Sequence, residues 1–181
     1  YQIATAADLI ALGETPDDYD KHFILTADID LDPNLPGRKV FDRAVIAPMV
    51  APGPNDVDLR IQGTPFTGVF DGNNHIIRNA DVNVPGDVYV GLFGCLETSG
   101  QIKNLGVEDI SVVGRYFVGG LVGSNRGTIR NCYSTGRVTD TGPAMYGDSY
   151  VGGLVGSNNG IITASHSTGT VTGHSGVGGL A

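Results

Sequence analysis

The stretch VGGLVGSN occurs twice, at Val118–Asn125 and again at Val151–Asn158. Each copy carries a matching tail, GTIRNCYSTGRV over 127–138 and GIITASHSTGTV over 160–171. Partial copies flank the pair: VGLFG from Val90 to Gly94, and VGGL from Val177 to Leu180. The copies start 28, 33 and 26 residues apart. Self-similarity at a nearly fixed period marks a repeat architecture in which each unit stacks on the last. The long interval holds DTGPAMYGDSY, Asp140 to Tyr150, where the other copies have a short turn. Taking out about seven residues there restores a period of roughly 26, one coil of a solenoid with an insertion at a corner.

The coil is made of strands, not helices. Helical repeats need good helix formers with apolar residues at i, i+3 and i+4. Here Val, Ile, Thr and Tyr come in short bursts broken by glycine, and 25 of the 28 glycines follow residue 60. The fold class is therefore all-β: a parallel β-helix (β-solenoid), expected to be right-handed. Each repeat reads as three strands: VGGLVG, then IRNCYST or its equivalent, then GRV or GTV. Like positions stack from coil to coil at about 4.8 Å. Leu92, Leu121 and Leu154 form one predicted ladder, and Phe93, Val122 and Val155 its neighbour. Ile102, Ile129 and Ile162 form a third, and Leu105, Cys132 and Ser165 a fourth. Asn125 with Asn158, and Asn104 with Asn131, are expected at corners, where asparagine tolerates the left-handed conformation.

Residues 1–80 form a different N-terminal segment, preceding the repeat module of 81–181. TAADLIAL, Thr5 to Leu12, reads as a short helix capped by Thr5, with Asp8 three residues on and Gly13 as its stop. PDDYDKH is an acidic turn. HFILTADIDLD then alternates, placing Ile29 and Leu31 on one face and Asp28, Asp30 and Asp32 on the other. A loop-rich stretch with Pro33, Pro36, Pro48, Pro52 and Pro54 follows, and FTGVFDGNNH contains an Asp-Gly turn. This segment is expected to make the first coils and to cover the end of the core.

Charge narrows the function. Residues 1–90 carry 14 acidic and 6 basic side chains, while 91–181 carry 5 of each. That balance argues against nucleic acid, whose binding rests on clustered Lys and Arg. No apolar run approaches the length of about 18 residues that spans a membrane, so no membrane insertion is expected in this segment. Cys95 aligns with Ser124 and Cys132 with Leu105, in different columns, which predicts two buried thiols and no disulfide. Tyr1 is not an initiator methionine and the sequence stops inside a repeat, so the chain is expected to be a piece of a longer one.

Catalytic motifs are sparse. The sequence contains no HExxH, no GxSxG, no GxxxxGK[ST] and no Asn-x-Ser/Thr, and His22, His75, His166 and His174 are scattered. No catalytic residue and no cofactor is assigned. The acidic row Asp28, Asp30 and Asp32 is the one candidate metal site, for Ca²⁺, which takes six to eight oxygen ligands. The competing reading is a solvated strand face that discourages edge pairing. Stacked Ser134/Ser167 and Thr135/Thr168 offer a regular hydroxyl array, which β-propensity alone also explains.

GGLVGSNRGTIRNCYSTGRV and GGLVGSNNGIITASHSTGTV resemble the GLUG repeat, named for its Gly-Leu-hydrophobic-Gly motif. ILTADIDL, FTGVFDGNNHII and VGLFG are similar to what precedes such arrays. The resemblance implies a β-helix stalk in a large secreted or cell-surface bacterial protein, adhesin-like, sometimes beside a protease domain. It brings no catalytic residue. The functional expectation is a non-enzymatic structural or adhesive segment of an extracellular surface or filament protein. Its expected partners are other copies associating end to end, host or cell-surface components, and glycans. The alternative is a carbohydrate-binding or polysaccharide-cleaving β-helix.

Overall fold

The computed structural model describes residues 1–50, 62–142 and 149–181. Pro52, Pro54 and the middle of the insertion lie outside the described residues. The chain winds as a parallel β-solenoid whose strands fall into four sheets. A six-stranded sheet stacks Gln2–Ile3, His22–Leu25, Val69–Asp71, Gln101–Lys103, Thr128–Arg130 and Ile161–Thr163. A seven-stranded sheet joins Ile29–Asp30, Ile76–Arg78, Asp81–Asn83, Gly106–Gly114, Tyr133–Asp140, His166–Ser167 and Thr170–Thr172. Two three-stranded sheets hold the glycine-rich phrase. One contains Phe93–Leu96, Val122–Asn125 and Val155–Asn158; the other contains Val118–Gly119, Val151–Gly152 and Val177–Gly178.

The predicted ladders stand in register. Val122 pairs with Phe93 below and Val155 above, and Ile129 with Ile102 and Ile162. Leu92, Leu121 and Leu154 are fully buried, and one apolar cluster runs from Ile3 to Val155. Cys95 lies beside Ser124, and both thiols are free and buried.

The three-strand partition of the coil differs from what forms. VGGLVG breaks into Val118–Gly119 and Val122–Asn125. IRNCYST breaks at Asn131, whose φ of 52° turns the corner; Asn104 (52°) and Ala164 (49°) do the same in the coils on either side. The piece after that corner instead fuses with GRV into one strand, Tyr133–Asp140. A register shift between Ser134 and Gly136 absorbs the extra residue.

At the other end the helix forms over Ala6–Gly13. Asp8 N–H donates to Thr5 Oγ1 at 3.2 Å, and Thr5 N–H donates back to Asp8 Oδ2 at 2.9 Å, a reciprocal capping box. Its Leu9 and Leu12 are buried in the shared cluster, so the helix covers that end of the core. The helix ends at Gly13, as expected, and without a left-handed turn. Gly13 is the last helical residue, and Glu14 caps it with right-handed dihedrals. Glycine is needed there because a Cβ would lie 2.0 Å from the Val45 carbonyl oxygen.

Candidate functional site

Buried apolar ladders leave the outward columns and the corners as the places where chemistry can sit. The acidic row is the first of these. Ile29 and Leu31 point inward, as the alternation requires, and the carboxylates point out. Each is held by neighbours. Asp28 Oδ1 accepts from the Ile76 backbone N–H at 3.1 Å and meets His75 Nδ1 at 2.9 Å. Asp30 accepts from Asn79 Nδ2 at 3.0 Å, from the Asp32 N–H at 3.0 Å and from Arg78 Nε at 3.1 Å. Asp32 accepts from both nitrogens of Asn34, at 2.9 and 2.8 Å. The Ile76 and His75 hydrogen bonds hold the Asp28 carboxyl below its usual range. The Asn79 and Asp32 bonds do the same for Asp30. Among the described residues no three His, Cys, Asp or Glu side chains gather closely enough to hold a metal ion. The geometry makes Asp28 and Asp30 struts between the first coil and the next.

The corners are polar ladders. Asn131 Nδ2 donates to Asn104 Oδ1 at 3.1 Å, and Asn104 Nδ2 donates to Asp71 Oδ1 at 3.0 Å. Asn125, fully buried, donates to Asn158 at 2.7 Å and accepts from the Gly127 N–H at 3.0 Å. Glu97 and Arg126 pair across a further corner at 2.7 Å. The hydroxyl array is not a free surface: Ser134 is buried and donates to the Gly153 carbonyl at 2.6 Å, and Thr135 Oγ1 accepts from the Asp109 N–H at 3.0 Å.

Two stacks were not anticipated from the sequence. Tyr89, Phe117 and Tyr150 form an aromatic column, with ring centroids 4.7 and 5.8 Å apart and planes within 9° and 14° of parallel. Their signal was present, since each immediately precedes the repeat valine at 90, 118 or 151. The second stack is Tyr133 beneath His166, at 5.5 Å. Tyr133 lies over Gly106, where a Cβ would come within 2.5 Å of the ring, and its hydroxyl donates to Glu108 Oε1 at 2.5 Å. That bond, with burial, pushes the Tyr133 phenol up to about 12.

A cavity of about 650 Å³ lies beside the C-terminal end of the helix. Tyr19 and Phe41 form its apolar wall, and Lys39, Arg43, Glu14 and Asp42 its charged rim. The rim charges face one another, Lys39 to Glu14 at 3.8 Å and Arg43 to Asp42 at 3.2 Å. Among the described residues no helix is long and apolar enough to cross a membrane.

The GLUG motif matches residues 114–139 and 147–172. Halomucin, from the archaeon Haloquadratum walsbyi, is 34% identical over 139 residues. The match covers 77% of this chain and 1% of that relative's length. The likeness is therefore not confined to bacterial proteins. A solved structure of a Bacteroides ovatus protein described as an immunoglobulin A1 protease aligns over 94% of this chain and 69% of the other, with 17% identity and a TM-score of 0.42. With both motifs matched and their residues stacked coil on coil, the chain carries two GLUG repeats.

Proposed function

We propose that this chain is a non-catalytic structural segment of a large surface protein outside the cell. The observation that carries this reading is where the reactive side chains are spent. Asp28 with His75, Asp30 with Arg78, Glu97 with Arg126 and Tyr133 with Glu108 all tie one coil to another. Groups arranged this way stiffen a rod and do not converge on a bound substrate. The GLUG motif and the likeness to halomucin support a surface repeat protein. A reducing-sugar assay of the purified chain on a panel of polysaccharides tests the proposal. No turnover is expected, and turnover of any of them overturns it.

Other copies of the chain are the first partner to examine. The last coil exposes Ile161 (58%) and Val177 (51%), and its strands have a hydrogen-bonded neighbour on one side only. Such edges recruit further strands, whether from chain that continues the solenoid or from another copy. Sedimentation velocity across a concentration series should show association, and a single monomeric boundary throughout counts against it.

A further inference from the structure

The six-stranded sheet carries a charge arrangement that the rod does not need. Its inward residues Ile102 and Ile129 are fully buried, so Gln101, Lys103, Thr128 and Arg130 stand outward in two columns. Lys103 and Arg130 are register partners, two cations stacked on adjacent strands. Like charges directly opposite one another are unfavourable in a sheet. The acid in that column, Asp71, lies on the far side of Lys103 and meets its Nζ at 3.2 Å. Above Arg130 comes Thr163. The exposed Arg130 guanidinium has no hydrogen-bond or ion-pair partner among the described residues. A shallow pocket of about 190 Å³ opens between Gln101, Lys103, Thr128 and Arg130.

We propose that this pocket binds an acidic sugar residue of a glycan, with its carboxylate or sulfate on Arg130 and Lys103. An oxyanion placed between the two cations relieves their repulsion, and the Arg130 fork presents paired N–H donors to it. Gln101 and Thr128 supply donors and acceptors for ring hydroxyls. Ile161, next above Thr128 in the neighbouring column and 58% exposed, offers an apolar surface to the C–H face of the ring. The mixed footprint, two cations beside amide, hydroxyl and apolar groups, matches an anionic sugar better than a free ion or a neutral glycan. The site goes beyond the structural role and does not depend on it, because the coils stack whether or not this face is occupied.

The test is an NMR titration of the ¹⁵N-labelled chain with four probes: oligogalacturonate, a sulfated galactan oligosaccharide, uncharged cellohexaose and sodium sulfate. At least one acidic oligosaccharide should shift the amides of Gln101, Lys103, Thr128 and Arg130, more weakly as salt rises. Arg130→Gln should cut that affinity about tenfold, a loss in the range of one charge-assisted hydrogen bond. Lys103→Gln should weaken it as well, and an unchanged melting temperature of Arg130→Gln shows that the fold is intact. Saturable binding of cellohexaose at the same amides with equal affinity overturns the proposal. So does equal binding of sulfate alone, an absence of binding by both acidic probes, or an Arg130→Gln variant that binds as the parent does.

Discussion

The Asn125 side-chain amide donates to the Asn158 oxygen one coil above it, at 2.7 Å, while its own oxygen accepts from the Gly127 N–H at 3.0 Å. A single buried carboxamide thus ties two coils together and closes the corner of its own. Asn125→Ala leaves the buried Gly127 N–H without that acceptor, which costs about 1–3 kcal/mol. Asn158 is exposed, and water can replace what its removal loses. Urea melts should therefore show a clear drop in midpoint for Asn125→Ala and a much smaller one for Asn158→Ala.

Acid should weaken the first coils. The Asp28 and Asp30 carboxyls are held below their ordinary range in the folded chain. A group with a lowered folded pKa adds stability above its unfolded value, and that stability is lost as pH falls. The decline should begin near pH ~4 and deepen below it. Asp30→Asn should flatten part of this dependence in melting curves taken from pH 6 to pH 2. The same variant addresses Ca²⁺: because Asp28, Asp30 and Asp32 are already occupied by protein donors, millimolar Ca²⁺ and a chelator should give the same melting curve.

The thiols should be slow to react. Burial pushes the Cys132 thiol up to about 11 and raises Cys95 as well. Only the thiolate attacks disulfide reagents. A colorimetric thiol assay at pH 8 should show both cysteines reacting slowly in the native chain and within minutes in denaturant.

The Tyr133–Glu108 bond depends on Gly106. Gly106→Ala puts a Cβ where the Tyr133 ring lies, so the ring must swing away from Glu108. Ultraviolet titration of the parent should reveal one tyrosine ionising near 12. In Gly106→Ala it should move toward about 10, the ordinary phenol value.

The ladders were legible because stacking forces like residues into like columns. Phe93, Val122 and Val155 could be aligned by eye, and they pair as aligned. The capping box was half legible, since Thr5 and Asp8 are local, but what requires glycine at position 13 was hidden in a contact with Val45, 32 residues away. The corners at Asn104 and Asn131 were legible, because asparagine tolerates the positive φ that both adopt, yet IRNCYST was read as one strand straight through Asn131. The acidic row was legible as a row. Its partners His75, Arg78 and Asn79 lie 47 to 49 residues further along the sequence, and only the winding brings them over it. The Lys103/Arg130 pair depends on the register of Ile102 with Ile129, which was visible, and on reading the outward neighbours of that ladder as well.

The in-register stacking of coils is tested most directly by backbone nuclear Overhauser contacts in the labelled chain. Val122 should show interstrand contacts to both Phe93 and Val155, and Ile129 to both Ile102 and Ile162. Parallel neighbours at about 4.8 Å produce such contacts. Contacts dominated instead by residues three and four apart, with none between the copies of the repeat, would show stacked helices and contradict the solenoid.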